Sequence, residues 1–353
     1  MLLVLFILNF QIAKIQAQKS TFPEGVYLSN EQLENKTPAY NVNIEVCINS
    51  INPFNWIKIG LKLHREKPDL IIVRFWIPFL APCLGTILKI AKKNKHTKVI
   101  SIVDNMIPHE KRIGDRLLTK YFVKTVDGFI AMSEKVKNDI KTFSHKPVSI
   151  SPHPIFNHFG DPITKMEART QLGLSQEKKI ILFFGYIRKY KGLDLLIQAM
   201  SSESIKKLNI QLMIVGEFYE DARTYHDLVI SLGLQNQISF YSNYIPDGEV
   251  KNYVCSADFI IQPYKNATQS GVTPLAYHFE KPMLVTNVGG LADTVPNLKT
   301  GIVVEPNTNA IVKGIETLYE LGENHFIPNI IEEKKKYSWA QMTEKFLALY
   351  QQL

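Results

Sequence analysis

The sequence is poor in cysteine and lacks a long apolar run. Its 353 residues hold 3 cysteines, Cys47, Cys83 and Cys255, scattered without metal-ligand spacing. This usage argues against disulfides and fits a reducing cytoplasm. The most apolar segment, residues 1–18, is shorter than the roughly 20 residues of a membrane span. No positively charged region precedes it, unlike in a signal peptide, so we predict that the chain opens with a buried β-strand.

Two motifs that the sequence lacks argue against particular classes of protein. No Gly-x-Gly-x-x-Gly follows any predicted strand, so a Rossmann oxidoreductase is the least favoured class. The basic residues, 41 Lys+Arg against 33 Asp+Glu, are dispersed, and no aromatic-basic module indicates nucleic-acid binding. The formal net charge of +8 still fits an anionic small ligand or an anionic membrane surface.

Short apolar runs alternate with helical patterns along most of the chain. The length favours two domains, and strand–helix alternation predicts parallel sheets with helices on both faces. Helical patterns fill residues 82–95 and 114–125, and residues 337–353 predict an amphipathic helix. Predicted strands cover residues 69–76, 98–104, 127–133, 178–185, 210–216, 237–241, 258–264, 282–287 and 301–306. The fold class is therefore α/β, with two Rossmann-like domains facing across a cleft.

Residues 149–162, "SISPHPIFNHFGDP", break this alternation with prolines, histidines and a glycine. We interpret them as the linker between the two domains. Ligands of open parallel sheets bind beyond the carboxyl ends of the strands, next to helix N-termini. The candidate residues should therefore follow directly after strands.

A basic loop follows the first strand of the second domain. Gly185 ends that strand, Arg188, Lys189 and Lys191 follow it, and Gly192 opens a helix. A diphosphate would meet cationic side chains and free helix amides here. The alternative is a solvated basic turn. Three cations and two glycines at one junction favour the diphosphate.

A hydroxyl-rich loop follows the strand at 258–264. Thr268, Gln269, Ser270 and the amides near Gly271 are suited to wrap phosphate or sugar oxygens. Serine and threonine also cap helices, so an ordinary helix start is the alternative. Taken with the basic loop, the ligand-binding interpretation is favoured.

A paired-glycine turn follows the next strand. Gly289 and Gly290 let a backbone approach a ligand closely, and equally make a tight turn. Asp293 shapes a ligand pocket or is an acid at a helix start. The residues leave both interpretations open.

Polar groups also follow the strand at 98–104 in the first domain. Asp104, Asn105, His109 and Glu110 lie together at its carboxyl end. A lone histidine is usually structural, but this one stands beside two carboxylates. An acid/base or sugar-binding role is therefore predicted.

The order of the motifs resembles a known family. "FFGYIRKYKGLDLL", "IQLMIVGEFY", "DFIIQPY", "TQSG", "EKPMLVTNVGGLADTV" and "GIVVEP" resemble the nucleotide-sugar domain of GT-B glycosyltransferases. The resemblance is to the large retaining group, family 4-like, called glycosyl transferases group 1. It covers roughly residues 65–350, and the combination is specific although no single motif is.

The resemblance implies a transferase of the retaining hexosyl type that moves a sugar from a nucleoside-diphosphate donor. The implied acceptor is a glycan or a lipid-linked glycan in cell-surface polysaccharide synthesis. No cofactor and no strictly required metal is implied, because cations and helix dipoles neutralise the leaving diphosphate.

The family's functional positions carry over to particular residues. The resemblance implies His109, Arg188 and Lys191 as catalytic residues, with Lys191 at the diphosphate. It implies donor binding by Gly185, Thr268, Gln269, Ser270, Gly271, Gly289, Gly290 and Asp293. Asp104, Asn105 and Glu110 are implied on the side of the acceptor or transferred sugar.

Three departures from the family pattern stand out. Tyr186 replaces the arginine that usually follows the strand-end glycine, and Arg188 is its substitute. The family's two glutamates fall at Ala267 and Leu275, where both are absent. The donor sugar, nucleotide base, acceptor and anomeric outcome are therefore left open.

The third departure concerns the N-terminus, which begins near what would be the second strand. We expect the first strand and its Gly-Gly loop to be missing, through gene decay or a misplaced start. The implied domains are residues 1–153 for the acceptor, 154–335 for the nucleotide sugar, and 336–353 as a helix returning to the first domain.

Two questions stay open at this level. A catalytically impaired or non-catalytic binding protein on the same fold is the alternative to an active enzyme, because the glutamates are absent and the N-terminus is expected to be shortened. Residues 88–98, "LKIAKKNKHTK", form a cationic helical face that fits either contact with an anionic membrane or plain solvation. We expect a cytoplasmic protein, with contact at the inner face of the plasma membrane left open.

Overall fold

The computed structural model describes residues 3–6, 47–108, 112–155, 159–267 and 269–353. The chain divides into two compact units. The first comprises Met1–Ser151 and Thr343–Leu353, and the second comprises Pro152–Met342. Each unit contains one parallel β-sheet.

The first sheet has five described strands in the unbroken order β1-β2-β3-β4-β5, all parallel. They are β1 (Leu3–Phe6), β2 (Leu70–Phe75), β3 (Lys98–Val103), β4 (Gly128–Ala131) and β5 (Val148–Ile150). The three predicted strands of this half are confirmed, and so is the strand at the start of the chain.

One boundary was wrong. The predicted linker begins at Ser149, but Ser149 and Ile150 lie in β5, paired with β4. Strand β5 is only three residues long and half-buried, so its short apolar–polar–apolar sequence did not stand out from the prolines that follow it. The hypothesis of a shortened N-terminus stays a prediction, because residues 7–46 lie outside the described residues.

The helices of the first unit are α1 (Pro53–Glu66), α2 (Ala81–Ala91), α3 (Asp115–Val123) and α4 (Glu134–Lys141). A 3₁₀ turn, Pro78–Leu80, precedes α2. Helix α1 begins where the Asn52 side chain accepts hydrogen bonds from two backbone amides, with Pro53 in the first turn, an arrangement that caps helices. Helix α2 packs against both α1 and α3.

The second sheet has six described strands in the order β11-β10-β9-β6-β7-β8, all parallel. They are β6 (Lys179–Phe184), β7 (Ile210–Val215), β8 (Ile238–Tyr241), β9 (Phe259–Gln262), β10 (Met283–Thr286) and β11 (Gly301–Val304). All six predicted strands of this half are confirmed. Their near-continuous apolar sequences reflect burial on both faces.

The helices of the second unit lie between and after these strands. They are α5 (Lys165–Gln171), α6 (Leu193–Met200), α7 (Glu203–Lys207), α8 (Arg223–Ser231), α9 (Asp247–Ser256), α10 (Val272–His278), α11 (Thr308–Leu321) and α12 (Glu323–Glu333).

The last helix, α13 (Trp339–Gln351), leads from the second unit back to the first, and Thr343–Leu353 is grouped with the first sheet. The Lys98 ammonium donates to the backbone oxygen of Leu353 at 2.7 Å, and the Leu349 side chain lies directly over Gly128 in β4. The predicted terminal helix is confirmed. Over the described residues, no helix has the length and apolar character that crossing a membrane requires.

A buried charge network joins the amino-terminal edge of the second sheet to its helices. Asp258 accepts hydrogen bonds from the Ile180 amide at 2.7 Å, from Lys165 at 2.6 Å and from Arg169 at 3.0 Å. The Tyr319 hydroxyl donates to the same carboxylate at 3.2 Å. Arg169 is almost fully buried, so Asp258 is the charge that compensates it.

We expect Asp258→Ala to destabilise the second unit by about 3–5 kcal/mol, because it leaves the buried Arg169 guanidinium without its carboxylate. Urea unfolding followed by circular dichroism measures this loss. The control is Asp221→Ala, which breaks the exposed pair with Arg223 and should barely move the transition. Equal shifts for the two variants would contradict the structural role of the network.

Candidate functional site

The strand order of the second sheet reverses between β6 and β9. From β6 the chain moves outward to β7 and β8, and then returns to the other side of β6 with β9. The carboxyl ends at such a reversal form the crevice in which open α/β sheets bind ligands. The loop after β6 and the loop after β9 both begin there, which places the basic loop beside the hydroxyl-rich loop.

Gly185 gives the basic loop room for a lysine. Its φ of 95° lies in the left-handed region, which favours glycine. A Cβ at this position would lie 3.1 Å from the Lys191 Nζ. The lysine head therefore occupies the space directly over the end of β6, and a larger residue at 185 would displace it.

Lys191 is a buried cation. The residue ends a 3₁₀ turn (Lys189–Lys191) before α6 and is only 8% exposed. Burial, and secondarily the charge of Arg188, lowers its pKa to about 8. Within the described ranges, no carboxylate forms an ion pair with it. A buried ammonium without a carboxylate partner is an unfavourable group that an anionic ligand would stabilise.

Tyr264 lies between the two loops. Its buried ring has the Lys191 Nζ 5.7 Å from its centroid, and its hydroxyl lies 3.1 Å from the Ser270 hydroxyl. The Ser270 oxygen also accepts a hydrogen bond from the Val272 amide at 3.2 Å. The side chain of Ser270 is thus held in one place at the start of α10.

Lys265 joins the loops by two bonds. Its backbone amide donates to the backbone carbonyl oxygen of Tyr190 at 2.7 Å, and its ammonium donates to the Asp194 carboxylate at 2.5 Å. The loops also touch at Gly192, where an added Cβ would lie 2.0 Å from the Pro263 oxygen. Only glycine fits at that contact, which explains the second glycine of the basic loop.

Arg188 is exposed and lies beside a group of tyrosines. Its guanidinium carbon is 4.4 Å from the ring centroid of Tyr219, a cation–π distance. The Tyr186 ring meets Tyr219 edge to face at 4.9 Å. Burial raises the pKa of Tyr186, with smaller contributions from Tyr219, Glu217 and Tyr244. Aromatic faces and one cation are therefore available at the carboxyl ends of β6, β7 and β8.

The paired-glycine turn lies further along the sheet. Gly289 has a φ of 53° and is exposed, while Gly290 is buried. Asp293 is exposed in a 3₁₀ turn (Ala292–Thr294), and it lines an open pocket with Asn287 and Glu305 at the ends of β10 and β11. That pocket's lining does not include the basic loop. The roles of these three residues in donor binding stay predictions.

The predicted residues of the first unit are only partly described. Asp104 is buried and forms a two-point ion pair with Arg74, at 2.7 and 2.8 Å. Asn105 is half-buried beside it. His109 and Glu110, and Thr268 in the second unit, lie outside the described residues. The sugar- or acceptor-side roles of these residues stay predictions.

Sequence reasoning missed several residues that build the site. Tyr264, Lys265 and Asp194 connect the two loops, and Arg74 neutralises Asp104. The signal for Tyr264 is its place at the end of the "DFIIQPY" strand, where a ligand-side residue is expected. The partners of Lys265 and Asp104 lie 71 and 30 residues away in the chain, and local patterns do not reveal them.

The two positions where the family carries glutamate are apolar and buried. Ala267 is 1% exposed, and Leu275 in α10 is 2% exposed within the core of the second unit. Leu275 therefore contributes to packing, and the described residues offer no carboxylate at either position.

Comparison with known proteins bears on the second unit. Residues 164–336 match the family described as Glycosyl transferases group 1. This segment belongs to the glycosyl transferases group 1 family. The chain is 29% identical over 191 residues to an uncharacterized glycosyltransferase of Methanocaldococcus jannaschii, covering 53% of this chain and 48% of that protein.

The chain is also similar to a D-inositol 3-phosphate glycosyltransferase of Corynebacterium efficiens, at 27% identity over 191 residues. That match covers 52% of this chain and 45% of the relative. The matches thus span about half the length of these two curated relatives.

Among solved structures, the chain resembles Anabaena Alr3699/HepE, which was crystallised in complex with UDP. The TM-score is 0.71 at 14% identity, covering 85% of this chain and 82% of that one. Identity this low shows the fold alone. The fold is that of GT-B glycosyltransferases, as the resemblance implied.

Because Lys191 titrates at about pH 8 in the folded chain and near its ordinary value when unfolded, the unfolded state binds more protons between these values. Wild-type stability should therefore rise from pH 8 toward pH 10.5 relative to Lys191→Met, by about 3 kcal/mol over the full range. Urea unfolding at a series of pH values measures the difference.

Lys189→Met is the matched control, because Lys189 is exposed in the same turn. Its stability curve should run parallel to that of the wild type. A parallel curve for Lys191→Met as well would contradict the lowered pKa of Lys191.

Proposed function

We propose that the protein is a glycosyltransferase whose second unit binds a nucleoside-diphosphate sugar at the junction of the basic and hydroxyl-rich loops. The observation that carries the proposal is Lys191, a buried cation without a carboxylate partner among the described residues. It stands at the strand-order reversal, where open α/β sheets bind ligands. The family of residues 164–336 supports the same activity.

The chemistry follows from where charge develops. Breaking the bond between sugar and diphosphate leaves negative charge on the phosphate oxygens, and fixed cations stabilise that charge most when they are already in place. The buried Lys191 has its Nζ 5.7 Å from the ring centroid of Tyr264, while Arg188 is exposed and accessible to the outer phosphate. In this proposal no metal is required for the diphosphate.

The remaining parts of the donor have matching surfaces. Ser270, held by Tyr264 and the Val272 amide, offers a hydroxyl for sugar or phosphate oxygens, with Gln269 beside it. The tyrosines around Arg188 offer π faces on which a nucleobase stacks. HepE was crystallised with UDP and with UDP-glucose, so uridine donors are the first to test.

The resemblance to the family also suggests an acceptor and a cellular setting. We propose a glycan or lipid-linked acceptor in cell-surface polysaccharide synthesis, with a retained anomeric configuration in a hexosyl product. The thiols of Cys83 and Cys255 are buried and form no disulfide, which supports a reducing cytoplasmic location. The anomeric configuration of the product, read by proton NMR, decides the stereochemical part.

A second candidate is a binding protein that holds a nucleotide sugar without transferring it. The buried Ala267 and Leu275, at the positions of the family's glutamates, favour it. The two functions separate in one experiment, because the binding protein would bind the donor while neither transferring nor hydrolysing it.

We expect Lys191→Ala to lower turnover with the cognate donor by about 10²–10³-fold, the usual loss when one charge-stabilising group is removed. The control is Lys189→Ala, which removes an equal charge from an exposed position in the same turn and should keep most of the activity. Release of the nucleoside diphosphate is the readout. Full activity of Lys191→Ala would overturn the assignment.

A thermal-shift series with UDP, GDP, ADP and their sugar conjugates identifies the donor. A nucleotide that binds only the folded chain, supplied at 100 times its dissociation constant, stabilises the fold by about 2.7 kcal/mol. The cognate nucleotide should therefore raise the melting temperature. The rise should disappear in Lys191→Ala. A well-folded sample that responds to none of these nucleotides would contradict the proposed donor site.

A further inference from the structure

The first unit exposes large apolar side chains at the ends of three neighbouring helical segments. Phe54 near the start of α1 is 83% exposed, and Phe79 in the 3₁₀ turn before α2 is 55% exposed. Leu117 in the first turn of α3 is 73% exposed, and Ile113 just before α3 is fully exposed. We call these four residues the apolar rim.

The connectivity places the rim at one edge of the sheet. Phe79 lies four residues after the carboxyl end of β2, and Ile113 lies between the end of β3 and the start of α3. Helix α1 ends just before β2 begins, so Phe54, near its other end, also lies toward the carboxyl edge. The turn packs on α3, and α2 packs on both α1 and α3. The four side chains therefore line one border of one helical layer.

Exposed cations lie behind the rim. Within α3 and its cap, Arg116, Leu117, Lys120 and Lys124 fall within an arc of about 100° at 3.6 residues per turn. All three cations are exposed. Asp115 is the single acid of α3, and its carboxylate accepts the Arg112 amide at 2.8 Å. In the described part of the chain, no ion pair involves Arg116, Lys120 or Lys124.

Helix α1 repeats the pattern on the other side of the layer. Ile57, Lys58, Leu61 and Arg65 are all exposed, and with Phe54 they lie on one face of the helix at spacings of three and four residues. Apolar and cationic side chains thus alternate on the outer faces of both flanking helices.

The lysines at the end of α2 and in the 3₁₀ turn after it, which the sequence suggested as a membrane-contacting face, differ from these two helices. Lys89, Lys93 and Lys95 are exposed, but Lys92 is bound to Asp127 at 2.6 Å. Ile90, the apolar residue between them, lies against Gly60 of α1. This end of the layer offers charge without exposed apolar side chains.

We propose that the apolar rim and the cations of α1 and α3 dock the protein onto an anionic lipid bilayer. Apolar side chains at the edge of a cationic surface enter the interface between headgroups and acyl chains, while lysines and arginines meet the lipid phosphates. Charge complementarity selects this partner, because the exposed face is cationic. This docking does not depend on the proposed donor binding, so it can be tested without a nucleotide sugar.

The experiment is co-sedimentation of the full chain with vesicles of phosphatidylcholine alone, and of phosphatidylcholine with an equal part of phosphatidylglycerol. We expect binding only to the anionic vesicles, and release at high salt. Ile113→Ser with Leu117→Ser should lower the vesicle affinity about tenfold or more. Arg116→Gln with Lys120→Gln should have a similar effect.

The matched control is Lys93→Gln with Lys95→Gln, which removes the same charge from exposed positions without apolar neighbours. It should retain affinity within about twofold. An equal loss of vesicle affinity in this control would overturn the proposal, because it would show that the vesicles attract the net positive charge of the whole protein. Equal binding to both vesicle types, or no binding, would overturn it as well. Self-association abolished by the rim substitutions, without vesicle binding, would assign the rim to a contact between copies of the chain.

Discussion

The burial of one ammonium group shapes the second unit. Lys191 occupies the space over Gly185, against the ring of Tyr264, and burial lowers its pKa to about 8. Such a group destabilises the fold at neutral pH, where it is still largely protonated. Glycine at 185 and the aromatic ring of Tyr264 accommodate this lysine.

The same burial has a consequence for ligand binding. A diphosphate placed near Lys191 would favour the charged form and raise its pKa again. Under the proposed function, the charge of the diphosphate offsets the unfavourable desolvation of the Lys191 ammonium in the complex. Relief of that desolvation then contributes to the free energy of ligand binding. Functional sites often combine low intrinsic stability with strong ligand response in this way. The exposed Lys189 lacks that coupling although it is two residues away.

The sequence predicted the site as far as local rules reach. A glycine at a strand end and cations before a helix indicated Gly185 and Lys191, because strand ends are where open sheets bind ligands. It did not indicate the Lys265–Asp194 pair or the Arg74–Asp104 pair, since each joins distant segments. Two of the three β5 residues, Ser149 and Ile150, were included in the predicted linker, because a strand of three residues gives too short a pattern to recognise. The apolar rim was missed because periodicity does not show which face of a helix the neighbouring helices leave uncovered.

Under the proposed function, the apolar residues at 267 and 275 limit how the donor pocket recognises a sugar. With Leu275 turned into the core, no carboxylate from that helix is available to accept hydrogen bonds from sugar or ribose hydroxyls. The described polar groups near it include the fixed hydroxyl of Ser270 and the cations of the basic loop. A sugar hydroxyl donates a weaker hydrogen bond to a neutral hydroxyl than to a carboxylate, because charge-assisted hydrogen bonds are about twice as strong. Under the proposed function, the diphosphate therefore supplies most of the affinity, and discrimination between sugars rests on shape and on residues beyond this pocket.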